Sequence, residues 1–138
     1  MKAHTLSVLV ENPGMSRMTI VVIGDDAQVE QVMKQLNKLI DVIKVSDITE
    51  SEIVDRELAL IKVNAEPGSS RSEVMQIASI FRAQIVDVGA KTVVLQVAGN
   101  PGKIDALERL LRQFGVKELI RTGKVSMLRG AKTVQPTK

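Results

Sequence analysis

Apolar and polar residues alternate near the start of the chain. Apolar side chains recur at every second position from Leu6 to Val10, with Thr5 and Ser7 before and between them. Successive side chains of a strand point to opposite faces of a sheet, so this period of two is typical of a strand. The pattern predicts a strand over residues 5–10.

A second strand and a helix are predicted next. Residues 18–23 are rich in β-branched side chains and end at a glycine, which indicates a buried strand. Asp25 and Asp26 carry the oxygens that favour a helix start. Apolar residues then recur at three- and four-residue steps, as on one face of a helix: Val29, Val32, Met33, Leu36, Leu39 and Ile40. Residues 42–48 predict a further strand.

The second half repeats these signals more fully. Its helices are marked by Ser70 with Glu73, a predicted capping box, and by Asn100 before Pro101. Gly115 is the predicted helix stop. The strands are predicted over residues 56–63, 85–88, 92–98 and 119–128, with residues 89–91 as a hairpin turn.

This order of elements predicts an α+β fold class with two ferredoxin-like modules. The second half is predicted as strand, helix, strand, strand, helix, strand, which is the complete βαββαβ order. The first half lacks the first helix of that unit. We therefore expect an incomplete module over residues 1–50, a linker over 51–55, a complete module over 56–130 and a basic flexible tail over 131–138.

Composition favours a soluble globular protein. The chain has 138 residues, 44% of them hydrophobic and 25% charged. Phe81 and Phe114 are its only aromatic residues, so the predicted core is aliphatic. There is no run of about 20 apolar residues to cross a bilayer and no signal-peptide pattern. With no cysteine either, we expect a cytoplasmic protein without disulfides or thiolate metal sites.

Charge and aromatic content bear on nucleic-acid binding. The net charge is +3, and the clearly basic stretch is at the end, with Lys124, Arg129, Lys132 and Lys138. RNA-binding modules of this fold stack bases on aromatic side chains of the sheet, which these strands do not offer. We expect no nucleic-acid partner, and RNA binding through the basic tail stays a minor alternative.

Candidates for catalysis are few. The single histidine, His4, opens the first strand, where a partly exposed structural role is expected. Asp25 and Asp26 are assigned to helix capping, so no metal site is predicted. The stretch GNPGK at residues 99–103 lacks the spacing of a phosphate-binding loop. We expect neither an enzyme nor a cofactor.

One turn is a candidate ligand site. Asn12, Pro13 and Gly14 lie between the first two predicted strands. Small residues let a ligand approach backbone N–H groups, and an amide side chain both donates and accepts hydrogen bonds. A zwitterionic amino acid would suit this turn, although a plain hairpin turn explains the same residues.

Several segments in order carry a resemblance to a known family. They are LSVLVEN (6–12), SRMTI (16–20), KQLNKLIDVIKV (34–45), RELALIKV (56–63), IFRAQIVD (80–87) and RTGK (121–124). Together they resemble the small regulatory subunit of acetolactate synthase, which is also called acetohydroxyacid synthase.

The resemblance implies a function and partners. It implies an N-terminal ACT domain that dimerises through its sheet. It also implies binding to a thiamine-diphosphate catalytic subunit, which raises the activity of that subunit and makes it sensitive to feedback inhibition by valine. The feedback inhibition would operate in branched-chain amino acid synthesis, and the residues that bind valine would be Asn12 and Gly14. The alternative is a free-standing ACT-type amino-acid-binding module.

The chain departs from the family pattern at one place. Family members resembling it have a helix, a turn and the beginning of a strand before SRMTI, whereas only residues 13–15 separate Asn12 from Ser16 here. The absent stretch includes a second asparagine of the valine site. Its loss is expected to expose apolar surface, which a partner chain would cover.

Overall fold

The computed structural model describes residues 2–11 and 13–134. The chain forms two compact units: Met1–Val54 with Val125–Lys138, and Asp55–Lys124. The elements, in chain order, are β1 (Lys2–Glu11), β2 (Met15–Gly24), α1 (Asp26–Asn37), β3 (Val42–Asp47), β4 (Ile53–Asn64), α2 (Ser69–Ile80), β5 (Gln84–Val88), β6 (Thr92–Gly99), α3 (Pro101–Leu111), β7 (Val116–Arg121) and β8 (Val125–Leu128).

The α+β prediction is confirmed. The N-terminal stretch of the first unit has the order ββαβ, without the first helix of a ferredoxin-like module, and β8 is added to that unit later in the chain. The second unit has the order βαββαβ. Two boundaries differ from the sequence-based division. β4 begins at Ile53, inside the predicted linker, and residues 125–130 cluster with the first unit rather than with the second.

β1 is the central strand of the first unit. It lies between β2 and β3 and is antiparallel to both. Its alternate residues Leu6 and Val8 are fully buried, and Leu9 on the opposite face is 2% exposed. On the face of Ser7, the backbone N–H of Ser126 donates to the hydroxyl of Thr19, which is paired with Ser7. The return of the chain at β8 thus helps to cover this face.

α1 begins where the sequence predicts. Asp25 is the N-cap, and its side chain accepts from the backbone N–H of Gln28 at 2.8 Å. The Gln28 side chain accepts from the N–H of Asp25 in return, which completes a capping box. Val29 is the buried residue of α1. The helix ends at Asn37. The prediction that Leu39 and Ile40 continue its apolar face is therefore wrong.

The second unit has an antiparallel sheet in the order β5, β6, β4, β7, and β8 is a fifth strand that pairs with β4 outside this order. The fully buried core lies between this sheet and α2 and α3. Its members are aliphatic throughout: Ala59, Ile61, Val63, Ala65, Val74, Ala78, Val93, Leu95, Val97, Ile104, Leu107 and Leu111. Phe81 and Phe114 pack against this core while remaining partly exposed.

Caps and turns agree with part of the prediction. Asn100 caps α3 by accepting from the N–H of Lys103 at 2.9 Å, and Pro101 is the first helical residue, as predicted. The predicted Ser70–Glu73 capping box is wrong, because the N-cap of α2 is Gly68, which has no side chain to accept a hydrogen bond. The predicted strand over 119–128 is interrupted at Gly123, whose φ of 76° breaks the extended backbone.

Gly115 is required by its surroundings. Its φ is 95°, a region that residues with a side chain rarely adopt. A Cβ at this position would lie 2.5 Å from the side-chain nitrogen of Asn64. The carbonyl of Gly115 also accepts from the backbone N–H of Asn64 at 2.9 Å, which ties the two backbones together.

We predict that Gly115→Ala lowers the free energy of unfolding by about 1–3 kcal/mol, because the new methyl group adds backbone strain and a clash. The control is Gly102→Ala in α3, where a Cβ would lie 3.5 Å from the Asn100 oxygen, an ordinary contact. That substitution is expected to be neutral or to stabilise by up to about 1 kcal/mol. Denaturant unfolding measures both, and equal effects would contradict the role given to Gly115.

Candidate functional site

The turn between β1 and β2 is the predicted ligand site. The strands remain paired up to Glu11 and Met15, so residues 12–14 form a three-residue connection. Asn12, the first predicted ligand residue, lies outside the described residues. Gly14, the second, lies in the turn and is exposed.

The space around Gly14 is open. A Cβ at this position would meet no atom within 4 Å, and Gly14 is not among the glycines with positive φ. Neither packing nor backbone conformation therefore requires a glycine here. Open space beside an exposed backbone leaves room for a small ligand to approach.

A mostly apolar cavity of about 470 Å³ lies in the same unit, on the strands that the turn joins. Val10 of β1 and Met18 of β2 line one side of it. The other side is the segment after α1, residues 38–42, whose backbone is held to β1 by a hydrogen bond of 2.9 Å from Glu11 N–H to the Asp41 carbonyl. The cavity thus lies between the ends of two strands and the end of a helix.

Large apolar side chains are exposed around this cavity. Of its lining residues, Ile40 is fully exposed, and Met18 and Leu39 are 48% and 57% exposed. Sequence reasoning placed Leu39 and Ile40 on the buried face of the helix and so missed this surface. The sequence evidence for the end of the helix was the length of the apolar pattern alone, and this length does not show where the helix stops.

His4 is buried, rather than partly exposed as predicted, and belongs to a polar network whose other end reaches the surface. It is 6% exposed, and its Nδ1 lies 3.0 Å from Oδ2 of Asp47 on the neighbouring strand. Asp47 also accepts from the backbone N–H and the hydroxyl of Thr49. The Thr49 hydroxyl in turn accepts from the N–H of Thr5 at 2.9 Å. This network joins β1 to the end of β3.

Two known protein families match successive parts of the chain. The family described as "Small subunit of acetolactate synthase" matches residues 56–130. The family described as "AHAS small subunit-like ACT domain" matches residues 4–44. The chain belongs to the acetolactate synthase small-subunit family. In this family catalysis resides in the large subunit, and the small subunit is regulatory.

Relatives of the small-subunit family cover most of the chain. A probable acetolactate synthase small subunit of Archaeoglobus fulgidus is 57% identical over 122 residues, which is 88% of this chain and 76% of that protein. The crystal structure of the acetolactate synthase small subunit from Thermotoga maritima has a TM-score of 0.82 at 33% identity. The match covers 94% of this chain and 99% of that chain.

A third relative shows that this small-subunit chain lacks internal positions. The acetolactate synthase small subunit of Mycobacterium bovis is 41% identical, and the match covers 99% of this chain and 98% of that protein. The match extends over 166 residues, against 138 here, so at least 28 positions have no counterpart. This agrees with the short connection between Asn12 and Ser16.

Metal-binding clusters and membrane-spanning helices are not found in the part of the chain that the structure describes. Within residues 2–11 and 13–134, no three His, Cys, Asp or Glu side chains come together as a metal site would require. No helix there has the length and apolar character needed to span a bilayer.

The basic residues near the end of this small-subunit chain are partly engaged in packing. Lys124 lies 3.7 Å from the carboxylate of Asp55. The Arg129 guanidinium donates to the carbonyl of Ile53 at 3.1 Å. Val134 is only 7% exposed, so the predicted flexible tail is packed at least at this residue, and residues 135–138, with Lys138, lie outside the described residues.

The Asp47 carboxylate titrates below its ordinary range. Burial by itself raises the pKa of Asp47, but hydrogen bonds from Thr49 and from His4 outweigh it and hold the pKa below its usual value. A carboxylate with a depressed pKa in the folded state stabilises the protein above its unfolded pKa. That stabilisation is lost as the pH falls through the folded pKa.

We predict that Asp47→Asn lowers the free energy of unfolding by about 1 kcal/mol at neutral pH, because hydrogen bonds to a partly exposed carboxylate are lost. The difference from the unmodified protein is expected to shrink as the pH falls below the pKa of Asp47 in the folded protein. Urea unfolding at a series of pH values measures this. Asp87→Asn, which replaces an exposed carboxylate on β5, is the control. A pH-independent effect of Asp47→Asn would contradict the assignment.

Proposed function

We propose that this chain binds the thiamine-diphosphate catalytic subunit of acetolactate synthase in the cytoplasm and raises its activity. The main support is the order of two matches on one chain, an ACT-type module followed by the module specific to acetolactate synthase small subunits. An ACT match alone would suit many amino-acid sensors. The second match, over residues 56–130, favours this enzyme in particular.

We further propose that the first unit senses valine and dimerises. Gly14 in the turn offers accessible backbone, which suits a carboxylate or an ammonium group. The cavity lined by Val10, Met18, Leu39 and Ile40 suits the isopropyl side chain, because it is mostly apolar and open. The exposed apolar side chains around it support burial against a second first unit.

Activation is tested with the catalytic subunit from the same genome. Acetolactate formation is measured while the chain is titrated into a fixed amount of enzyme, and complex formation is followed by gel filtration. We expect a saturable rise in kcat together with co-elution. Unchanged activity without a complex would contradict the proposal. A complex without a rise in activity would support the proposed binding and overturn the proposed activation.

Valine sensing is tested on the chain alone and on the complex. Valine at about 100 times its Kd is expected to raise the free energy of unfolding by about 2.7 kcal/mol, with D-valine as the stereochemical control. Asn12→Ala is expected to weaken this shift, whereas Gln31→Ala, an exposed amide on α1, leaves it in place. Inhibition by valine in the complex is then compared for the same variants.

The outcomes separate the two parts of the proposal. If the chain activates the enzyme but valine has no effect, the proposed partner is supported and the proposed valine sensing is overturned. This is the result expected if the absent segment is essential for binding valine. Valine binding without activation supports instead the free-standing amino-acid-binding module.

A further inference from the structure

One end of the second unit's sheet holds a cleft of about 470 Å³ with a mostly polar lining. It lies where β4 ends and where β6 and β7 begin. Clefts of this volume are in the range that binds small molecules. We call this site the polar cleft, and its lining includes Asn64, Glu66, Lys91, Thr92, Phe114 and Lys117.

The polar cleft has an excess of positive charge. Two of its side chains, Lys91 and Lys117, are cations, and Glu66 is the single carboxylate among the described lining residues. None of these three takes part in any of the ion pairs found among the described residues. The two ammonium groups are therefore available to an anion from solution.

The order of the strands places the two lysines on opposite sides of β4. β4 lies between β6 and β7 in the sheet. Asn64 at the end of β4 is paired with Thr92, so Lys91 is beside β4 on one side, and Lys117 of β7 is on the other. Neighbouring strands are about 4.8 Å apart, so the two lysine backbones are separated by roughly 10 Å. Lysine side chains are long and flexible, and both can thus approach a single anion between them.

Hydrogen bonds hold the walls of the polar cleft together. The Arg71 guanidinium donates to the carbonyl of Ala65 at 2.9 and 3.0 Å and to the carbonyl of Gly89 at 2.7 Å. The backbone N–H of Ala65 donates to the carbonyl of Lys91 at 2.8 Å. These bonds join the loop that carries Glu66 to the turn that carries Lys91. A site whose loops are already joined loses less conformational entropy when a ligand binds.

The chemistry of the lining indicates what kind of anion fits. Besides the two ammonium groups, the Asn64 amide and the Thr92 hydroxyl can donate hydrogen bonds. A phosphate group suits these donors, because it has several acceptor oxygens and up to two negative charges, and lysine is a common partner of phosphate. Phe114 is partly exposed in the lining and offers an apolar surface beside the charges.

We propose that the polar cleft binds a small organic phosphate. Lys91 and Lys117 hold the phosphate group, and Phe114 packs against the organic part. Inorganic phosphate alone would leave most of the 470 Å³ unfilled, which favours a ligand with an organic part. The site lies within the second unit, so binding requires neither valine nor the catalytic subunit.

Three probe ligands test the class of ligand by isothermal titration calorimetry on the full chain at low ionic strength. Phenyl phosphate is expected to bind several-fold more tightly than methyl phosphate, because its ring can pack against Phe114. Succinate, a dianion without phosphorus, is expected to bind more weakly than either. No binding of the two phosphates would overturn the site. Succinate binding as tight as that of methyl phosphate would overturn the preference for phosphate, and equal affinities of the two phosphates would overturn the role of Phe114.

Lysine variants test the position of the phosphate group. Lys91→Gln and Lys117→Gln are each expected to weaken the binding of phenyl phosphate about tenfold, because each removes a charged hydrogen-bond donor. Lys103→Gln is the matched control, since it changes the net charge equally in the same unit. Lys103 donates to the carbonyl of Ala98, at the other end of β6 and about 20 Å along the strand from Thr92. Equal weakening by all three variants would indicate general charge attraction and overturn the proposal.

A variant with the opposite effect separates binding from damage to the fold. Glu66→Gln removes the carboxylate of the polar cleft and is expected to tighten the binding of phenyl phosphate about fivefold, because a repulsion between like charges is lost. A partly unfolded variant cannot bind more tightly, so a gain of affinity does not arise from a damaged structure. Thermal unfolding followed by circular dichroism shows whether each variant is folded. Unchanged or weaker binding by a folded Glu66→Gln variant would overturn the proposal.

Discussion

The antiparallel register of β4 determines what each face of the second sheet can do. With a period of two, a shift of one residue would exchange Ala59, Ile61 and Val63 for Leu58, Leu60 and Lys62. A buried lysine without a partner costs several kcal/mol, so the shifted register is strongly disfavoured. The burial of three aliphatic residues therefore fixes the composition of the opposite surface, where the register with β7 also sets which charges are neighbours.

The sequence was sufficient for the elements whose signals are local. The alternation around Leu6, the Asp25 start of α1 and the Asn100–Pro101 start of α3 each depend on a few adjacent residues, and each is observed. The family resemblance rested on many short segments in order, which is why it named the same family as the later comparisons. Residue pattern alone excluded catalysis by familiar motifs but did not name a partner.

The wrong predictions concern burial and helix ends, which depend on residues that are close in space but not in sequence. His4 is buried because Asp47, 43 residues later, lies beside it on the next strand. α2 begins at Ser69 although Ser70 and Glu73 have the spacing of a capping box, because the helical turn had already started. Ile40 is exposed although it continues an apolar pattern, because α1 ends three residues earlier. The candidate valine site is harder still, since Asn12 lies outside the described residues.

The interruption at Gly123 has a consequence for how the chain is made. It returns the backbone to the first unit, which is thus assembled from two separate stretches of the chain, while Asp55–Lys124 is continuous. Domains of a growing chain usually fold from the N-terminus onward as they leave the ribosome. Here the second unit has all of its residues before the first unit does. The first unit, in which Ser126 of β8 donates to Thr19 of β2, is therefore completed only after the second unit has been synthesised.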